Sequence, residues 1–579
     1  MSRVESTTVQ DYEASVSFLG TWGPFQKRTF FLLCLTTIPS GYNLLAVIFL
    51  LATPPHQCHI PDSSNLSQDW IQTSIPVQQV AGRVERSSCS RYELNLVQNL
   101  SALGTSPSLD LIHNLSGPEF LLSSLKQEGC KDGWTYSTEH YQSTVVTEFN
   151  LVCRDQWKQP LTSVVYFMGG LFGCFISGQI SDRFGRKPVL FGAITALSIF
   201  SSAVAFAPSW PVFTMLFFLL GLGQITSYIV AFVLGSEILI GSTRVLFSNL
   251  CLPWVYVFGM MMLPVTAYLV RSWRHLSLTM AVPGLACIPL WWLISESPRW
   301  LVSRGRFQEA ELLLRSAALE NQVEAPHVIF LSANIDKATS EKTESPNFLD
   351  LLRTANIRQI TFILWLIWFS LSVSYFGLSF NMSGLYGNPF LNYFLVTAVE
   401  LPAYAASWLA ARSLPRRLSY ISFTLLGALA LLLIQITLYS YPTLTLTLVL
   451  LGKFGLLAGA GVLYMFTGEL SPTVIRNTAM SSCAMFSRVG SSVSPYLLQL
   501  AVFNEFLPWI VVGSLSVLSV LVCVFLPETF KQPLPDTIQQ MALTQRFRWP
   551  WASMHLPEDD GKSAKDQTTT PEIICTTHL

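Results

Sequence analysis

The sequence predicts an all-α membrane protein: twelve transmembrane helices in two pseudo-symmetric six-helix bundles, with a large glycosylated, disulfide-containing first extracellular loop. Three observations predict it. Hydrophobic residues make up 51% of the 579 residues and charged residues 12%, against roughly 25% charged in water-soluble domains, so lipid must solvate most of the chain. Twelve apolar runs reach the length of about 20 residues that crosses roughly 30 Å of hydrocarbon. Charged residues at the ends of these runs recur at one fixed offset, the mark of two parallel halves.

The runs fall near 29–51, 161–180, 189–207, 211–234, 247–270, 276–294, 359–380, 391–411, 419–440, 444–467, 478–501 and 506–526. Residues 1–28 carry Glu5, Asp11 and Glu13, and the run after them is too long for a signal-peptide core, so it reads as an uncleaved first span. The domains that follow are a cytoplasmic N-terminus (1–28), a first bundle (29–296) that includes an extracellular loop (52–157), a cytoplasmic linker (297–357), a second bundle (358–528) and a cytoplasmic tail (529–579).

Orientation comes from the short loops. Lys27, Arg28, Arg183, Arg186, Lys187, Arg412, Arg416, Arg417 and Arg476 fall on one side, which the positive-inside rule makes cytoplasmic, with Arg154, Lys158, Arg271 and Arg274 as exceptions. A multi-pass plasma-membrane protein with both termini inside is expected. The loop at 52–157 agrees with an outside location: it holds the glycosylation acceptors Asn65, Asn99 and Asn114, each in Asn-Leu-Ser, and Cys58, Cys89, Cys130 and Cys153. Four cysteines allow three pairings, and spacing does not choose among them.

Several function classes are excluded. Basic and acidic residues number 35 each, without the basic excess of a nucleic-acid binder. Nucleophile-base pairs and metal-ligand spacings are absent, and no histidine lies deep in a span, so an enzyme, a metal site or a bound cofactor is not expected.

Glu237 precedes Arg244 by seven residues and Glu469 precedes Arg476 by seven; 469 − 237 = 232, and Glu528 follows Glu296 by 528 − 296 = 232. Parallel halves of this kind expose a midplane site alternately to each side. Between the second and third runs stands Gly178-Gln-Ile-Ser-Asp182-Arg183-Phe-Gly185-Arg186-Lys187, which resembles the signature loop of the major facilitator superfamily and implies that fold. Its glycines allow a tight turn, and its charges can pair at neighbouring helix ends. The second half keeps only a degenerate remnant, Leu414-Pro415-Arg416-Arg417. Asp182, Arg183, Arg186, Glu237 and Arg244, with Glu469 and Arg476, are expected to form cytoplasmic charge latches favouring the outward-open state; topology-setting charge is the alternative.

Glu296-Ser-Pro298-Arg299-Trp300, Glu469-Leu-Ser-Pro-Thr-Val-Ile-Arg476-Asn477, Phe18-Leu-Gly-Thr-Trp22-Gly-Pro-Phe25-Gln26 and Ser374-Tyr375-Phe376-Gly377-Leu378-Ser379 carry the resemblance further. Over nearly its whole length the chain resembles the organic ion transporters (solute carrier family 22), and looks nearest to their carnitine/organic cation branch. That resemblance implies uptake of carnitine, related zwitterions such as ergothioneine, or organic cations, with Na+ as coupling ion in some members. The chain departs from the branch at Ser40 and Ser227, where asparagines are usual, so two amide oxygens suited to a hard cation are replaced by hydroxyls. Gly235 to Ser242 lacks the lysine of a phosphate-binding loop, which argues against ATP.

A charge at mid-span costs about 2.5 to 3.5 kcal/mol on the insertion scale, so one that persists there has work to do. Three are deep: Glu400, Lys453 and Arg488, all in the second half. If Glu400 and Lys453 form a structural bridge, Arg488 is left to take a substrate carboxylate. The first half offers Tyr228, Trp254 and Tyr256, and Tyr256, Tyr375 and Tyr464 match positions of the branch's aromatic cage for a quaternary ammonium. Ser40, Ser227 and Glu469 are the candidates for cation coupling. Thr577-His578-Leu579 fits the C-terminal ending that PDZ domains bind. An organic anion exchanger, or a transport-dead receptor or scaffold, are the competing functions.

Overall fold

The computed structural model describes residues 15–80, 83–102, 126–327 and 351–530, apart from 386, 439, 473 and 474, together with 329 and 532. Asn114 and the 577–579 ending lie outside the described residues.

Ten helices are long and apolar enough to cross a membrane: α1 (Pro24–Leu50), α2 (Lys158–Phe184), α3 (Arg186–Val204), α4 (Trp210–Ile238), α5 (Gly241–Val270), α6 (Trp273–Trp292), α7 (Ala355–Phe380), α8 (Pro389–Ser413), α9 (Arg416–Thr437) and α10 (Pro442–Leu470). The expected eleventh and twelfth spans differ. α11 (Arg476–Val493) is serine-rich and amphipathic and continues through a 3-10 turn into Leu497–Phe503, while α12 (Leu507–Cys523) has 17 residues. A helix lined by small polar groups and packed on α2 and α7 reads as weakly apolar, because its neighbours rather than lipid cover much of it. The helices also run further than the apolar runs, typically by a turn, since charged residues such as Arg186 and Arg416 belong to the helix ends. Proline at the first or second position starts α4, α8, α10 and α12, where its missing N–H costs nothing.

Besides α11, and α6 with its 3-10 end from Ile288, three spans are interrupted. α1 breaks at Thr36–Thr37 and again at Leu45. α5 carries a π-turn, Phe247–Cys251, after its first six residues, Gly241–Leu246. α8 is two pieces, Pro389–Ala398 and Glu400–Ser413, with Pro402 just beyond the join, unable to donate to the Ala398 carbonyl. Helices before residue 297 pack chiefly on one another, and so do those after 355. At Gly41 a β-carbon would lie 2.1 Å from the Tyr256 carbonyl oxygen, so only glycine lets α1 close on α5 here.

The outer loop is a cap of three antiparallel ribbons: β1 (His56–Cys58) with β6 (Trp134–Tyr136), β2 (Val77–Val80) with β3 (Arg83–Arg86), and β4 (Ser90–Tyr92) with β5 (Gln127–Gly129). Of the three possible pairings the structure has Cys58–Cys130 and Cys89–Cys153. Buried Arg91 ties the cap internally through Glu128 at 3.1 Å and Asp132 at 2.5 Å. The cap is fastened to the first half: Glu148 accepts from Trp273 Nε1 at 2.7 Å and pairs with Arg274, and Gln142 N donates to the Arg271 carbonyl. Burial pushes the Glu148 carboxyl up, but the hydrogen bonds from Arg274 and Trp273 outweigh it and hold it below its ordinary range. On the opposite face the linker helix Phe307–Glu320 is followed by Asn321, whose side chain accepts from Phe25 N at 2.8 Å and donates to Leu19 O and Gln26 Oε1.

Candidate functional site

Two similar charge networks close the cytoplasmic ends of the halves. In the first, Arg186 grips Glu237 (Nη2 to Oε1 3.0 Å) and Asp182 (2.5 Å), and its backbone N–H donates to Glu296 Oε1 at 3.0 Å. Gly185, at φ +108°, makes the turn that aims this N–H. In the second, Arg416 grips Glu469 at 3.0 Å and its N–H donates to Glu528 Oε1 at 2.8 Å. The separation 416 − 186 = 230 nearly repeats the 232 of the acids, so Arg416, dismissed above as part of a remnant, is the counterpart of Arg186. Arg244 and Arg476 also reach backbone: their Nε atoms donate to the carbonyls of Leu239 and of Gly468 and Ser471, and Glu237 and Glu469 accept from Arg186 and Arg416. Arg183 lies over the Phe184 ring. All these ion pairs join groups of the same half, so they brace each bundle's end instead of bolting the two together. Glu469, bonded also by Thr529 at 2.6 Å, belongs to this network and does not meet Ser40 or Ser227.

The outer ends of the halves touch through rings. Phe390 of α8 is surrounded by Phe49 (5.8 Å), Tyr141 (5.3 Å), Tyr268 (5.7 Å) and His140 (6.5 Å), and Phe167 meets Phe376 at 4.9 Å. The latch idea tied the cytoplasmic charge pairs to an outward-open state, yet here they are formed while outer rings are in contact. Beneath the cap lies a cavity of about 800 Å³ bordered by His56, Glu85, Arg86, His140, Tyr393 and Gln499.

Of the mid-membrane charges, Glu400 and Lys453 are packed against α7 within the second half. Glu400 and Lys453 are 1% and 0% exposed and paired at 3.2 Å; Lys453 Nζ also donates to Ser379 Oγ at 2.9 Å and stands 3.2 Å above the Tyr375 ring, whose hydroxyl donates to Glu400 at 2.6 Å. The bridge therefore exists, and it occupies the face of Tyr375 that was expected to help cage an ammonium. Tyr256 pairs instead with Tyr228, centroids 4.8 Å apart, and Tyr464 with Trp368 at 6.3 Å. Tyr375 lies within electrostatic range of Tyr256, and Tyr464 within range of Tyr228. Arg488 has no ion-pair partner among the described residues, and it lies within electrostatic range of Tyr166, Tyr228 and Tyr256.

Ser40 and Ser227 both donate to the Gln224 carbonyl, at 2.6 and 2.9 Å, and the Gln224 amide donates to Tyr256 Oη at 3.0 Å and to Ser40 O at 3.1 Å. Gln224, one turn before Ser227, thus joins α1, α4 and α5, a role the sequence reading missed although an amide buried in an apolar span is its own signal. Tyr404, one turn beyond Glu400 and in electrostatic range of it, Tyr228 and Tyr256, was missed too. His56 with Cys89 and Cys153 is the one metal-like cluster among the described residues, and both of its cysteines are in the disulfide.

Two packed halves of membrane-spanning helices are the architecture of a membrane transporter, and not of an enzyme. The family described as sugar (and other) transporters matches residues 122–541. Human organic cation/carnitine transporter 2 is 44% identical, covering 98% of this chain and 100% of its own length; mouse solute carrier family 22 member 4 is 45% identical over 93% and 96%. The fruit-fly organic cation transporter protein is 31% identical over 91% of this chain and 94% of its own. The inward-open bacterial xylose transporter of Escherichia coli shares the fold, with TM-score 0.57 at 14% identity over 89% of this chain and 99% of that one. The chain belongs to the solute carrier 22 family of the major facilitator superfamily.

Proposed function

We propose that this transporter moves carnitine-like zwitterions or organic cations across the plasma membrane by alternating access, with the cationic group drawn to Glu400 and a carboxylate, where present, to Arg488. The observation that carries this reading is a buried acid held by a displaceable ammonium: Lys453 sits on Glu400 and on the Tyr375 face, the two features that would bind a substrate ammonium in its place. Arg488 supplies a fork suited to a carboxylate. The names of the relatives support the substrate class.

In this reading all twelve helices cross, both termini are cytoplasmic, Asn65 and Asn99, exposed on the cap, carry glycans, and the 577–579 ending recruits a PDZ protein. Na+ is the coupling ion, taken by oxygens near Ser40 and Ser227. Asn43 Oδ1, buried without a hydrogen-bond partner about one turn beyond Ser40, is a donor of the type a hard cation takes. The test is uptake of labelled carnitine, ergothioneine and tetraethylammonium by expressing cells, with sodium present and with mannitol replacing it. Saturable uptake of at least one is expected.

An anion exchanger is the second reading. With Glu400 neutralised by Lys453, Arg488 leaves the site with a surplus positive charge. Dicarboxylate uptake without cation uptake would establish it.

A further inference from the structure

Trp254 donates its indole N–H to the carbonyl of Leu401 at 3.1 Å, and among the described residues this is the one side-chain hydrogen bond between the halves. The bond joins two interrupted helices at their interruptions. Trp254 stands three residues after the π-turn of α5, which ends at Cys251, and Leu401 lies between Glu400 and Pro402 at the break in α8. π-turns and proline breaks are where spans bend with least loss of backbone bonding, and in transporters they flank binding sites. Glu400 is the neighbour of Leu401, so the backbone carbonyl that Trp254 holds cannot shift independently of the buried carboxylate.

We propose that Trp254 is a positioning residue for Glu400: it couples a cation's arrival at that carboxylate to the contact between halves. When a cation displaces Lys453, the segment 399–402 moves and the bond to Trp254 is strained or released. While the bond holds, Glu400 stays set against Lys453. Trp254 need not touch substrate for this. The inference rests on the proposed role of Glu400.

The test uses the full-length chain in cells with W254F, which keeps an aromatic ring and removes the N–H. Loss of one neutral hydrogen bond supports a change of roughly two- to tenfold, so maximal tetraethylammonium uptake per surface molecule should change by that factor while KM stays within about twofold. A rise in KM alone would make Trp254 a wall of the site and overturn the coupling role, as would unchanged kinetics. A second measurement needs no transport. Cys251, half-buried one turn before Trp254, should be labelled faster by a membrane-permeant maleimide in W254F than in wild type, read by peptide mass spectrometry. Equal labelling overturns the clasp. If the wild type takes up no cation, the substrate assignment falls, and Cys251 labelling still decides the clasp.

Discussion

Glu400 and Lys453 have almost no exposure, so neither tolerates loss of the other. Glu400→Gln leaves a buried ammonium unpaired, at a cost of about 3 to 5 kcal/mol, and should lower the amount of protein reaching the surface. The double variant Glu400→Gln with Lys453→Gln removes both charges and should restore surface level, measured by biotinylation, but not cation uptake. Recovered uptake would make the pair structural only. Sequence alone located these two residues and Arg488, because a charge is conspicuous in an apolar run. It did not reveal that Lys453 covers Tyr375, nor that Tyr256 turns to Tyr228, since a tyrosine in a span looks the same whichever neighbour it faces.

At the scale of elements, the helix ends show why part of the design was hidden. Arg186 was found through its motif, whereas Arg416 stands in Leu414-Pro415-Arg416-Arg417, where little of the motif survives. What the fold requires there is one arginine whose N–H and guanidinium reach two acids, and the surrounding residues are free to change. Arg416→Gln should therefore destabilise the second half by about 1.5 to 3 kcal/mol, the range for hydrogen bonds to charged groups, and lower the thermal unfolding temperature of the purified protein. Arg476→Gln, which removes Nε bonds to backbone carbonyls but leaves Arg416 on Glu469, should cost less. The reverse order would mean that the motif-spaced pair, Glu469 with Arg476, is the working one. Helices were legible from apolar runs, the 478–501 run included, although α11 packs polar faces inward and its run is the thinnest.

For the whole molecule, the cap rides on the first half through Glu148, Trp273 and Arg274 and meets the second half at Phe390. Because the folded Glu148 carboxyl titrates below its ordinary value, the tether adds stability above the unfolded pKa of about 4.3 and loses it as pH falls through the lower folded value. Hydrogen exchange around residues 142–149 should accelerate across that acidic window in wild type and be fast at neutral pH in Glu148→Gln. No difference between the two would mean the cap is held elsewhere. The composition forecast a membrane protein, and the 232-residue offset forecast two halves. That the halves meet through rings outside and, among the described residues, through one side-chain hydrogen bond from the Trp254 indole needed three dimensions.

In the proposed function one site reads both ends of a zwitterion, with Arg488 reading the carboxylate. Carnitine and tetraethylammonium uptake should be compared in wild type and Arg488→Ala at equal surface level. Carnitine uptake should fall by tenfold or more, about 1.4 kcal/mol or above, with tetraethylammonium uptake largely kept, and Arg488→Lys should recover little because the two-pronged contact is lost. Equal retention of both substrates in Arg488→Ala would show that Arg488 does not hold the carboxylate.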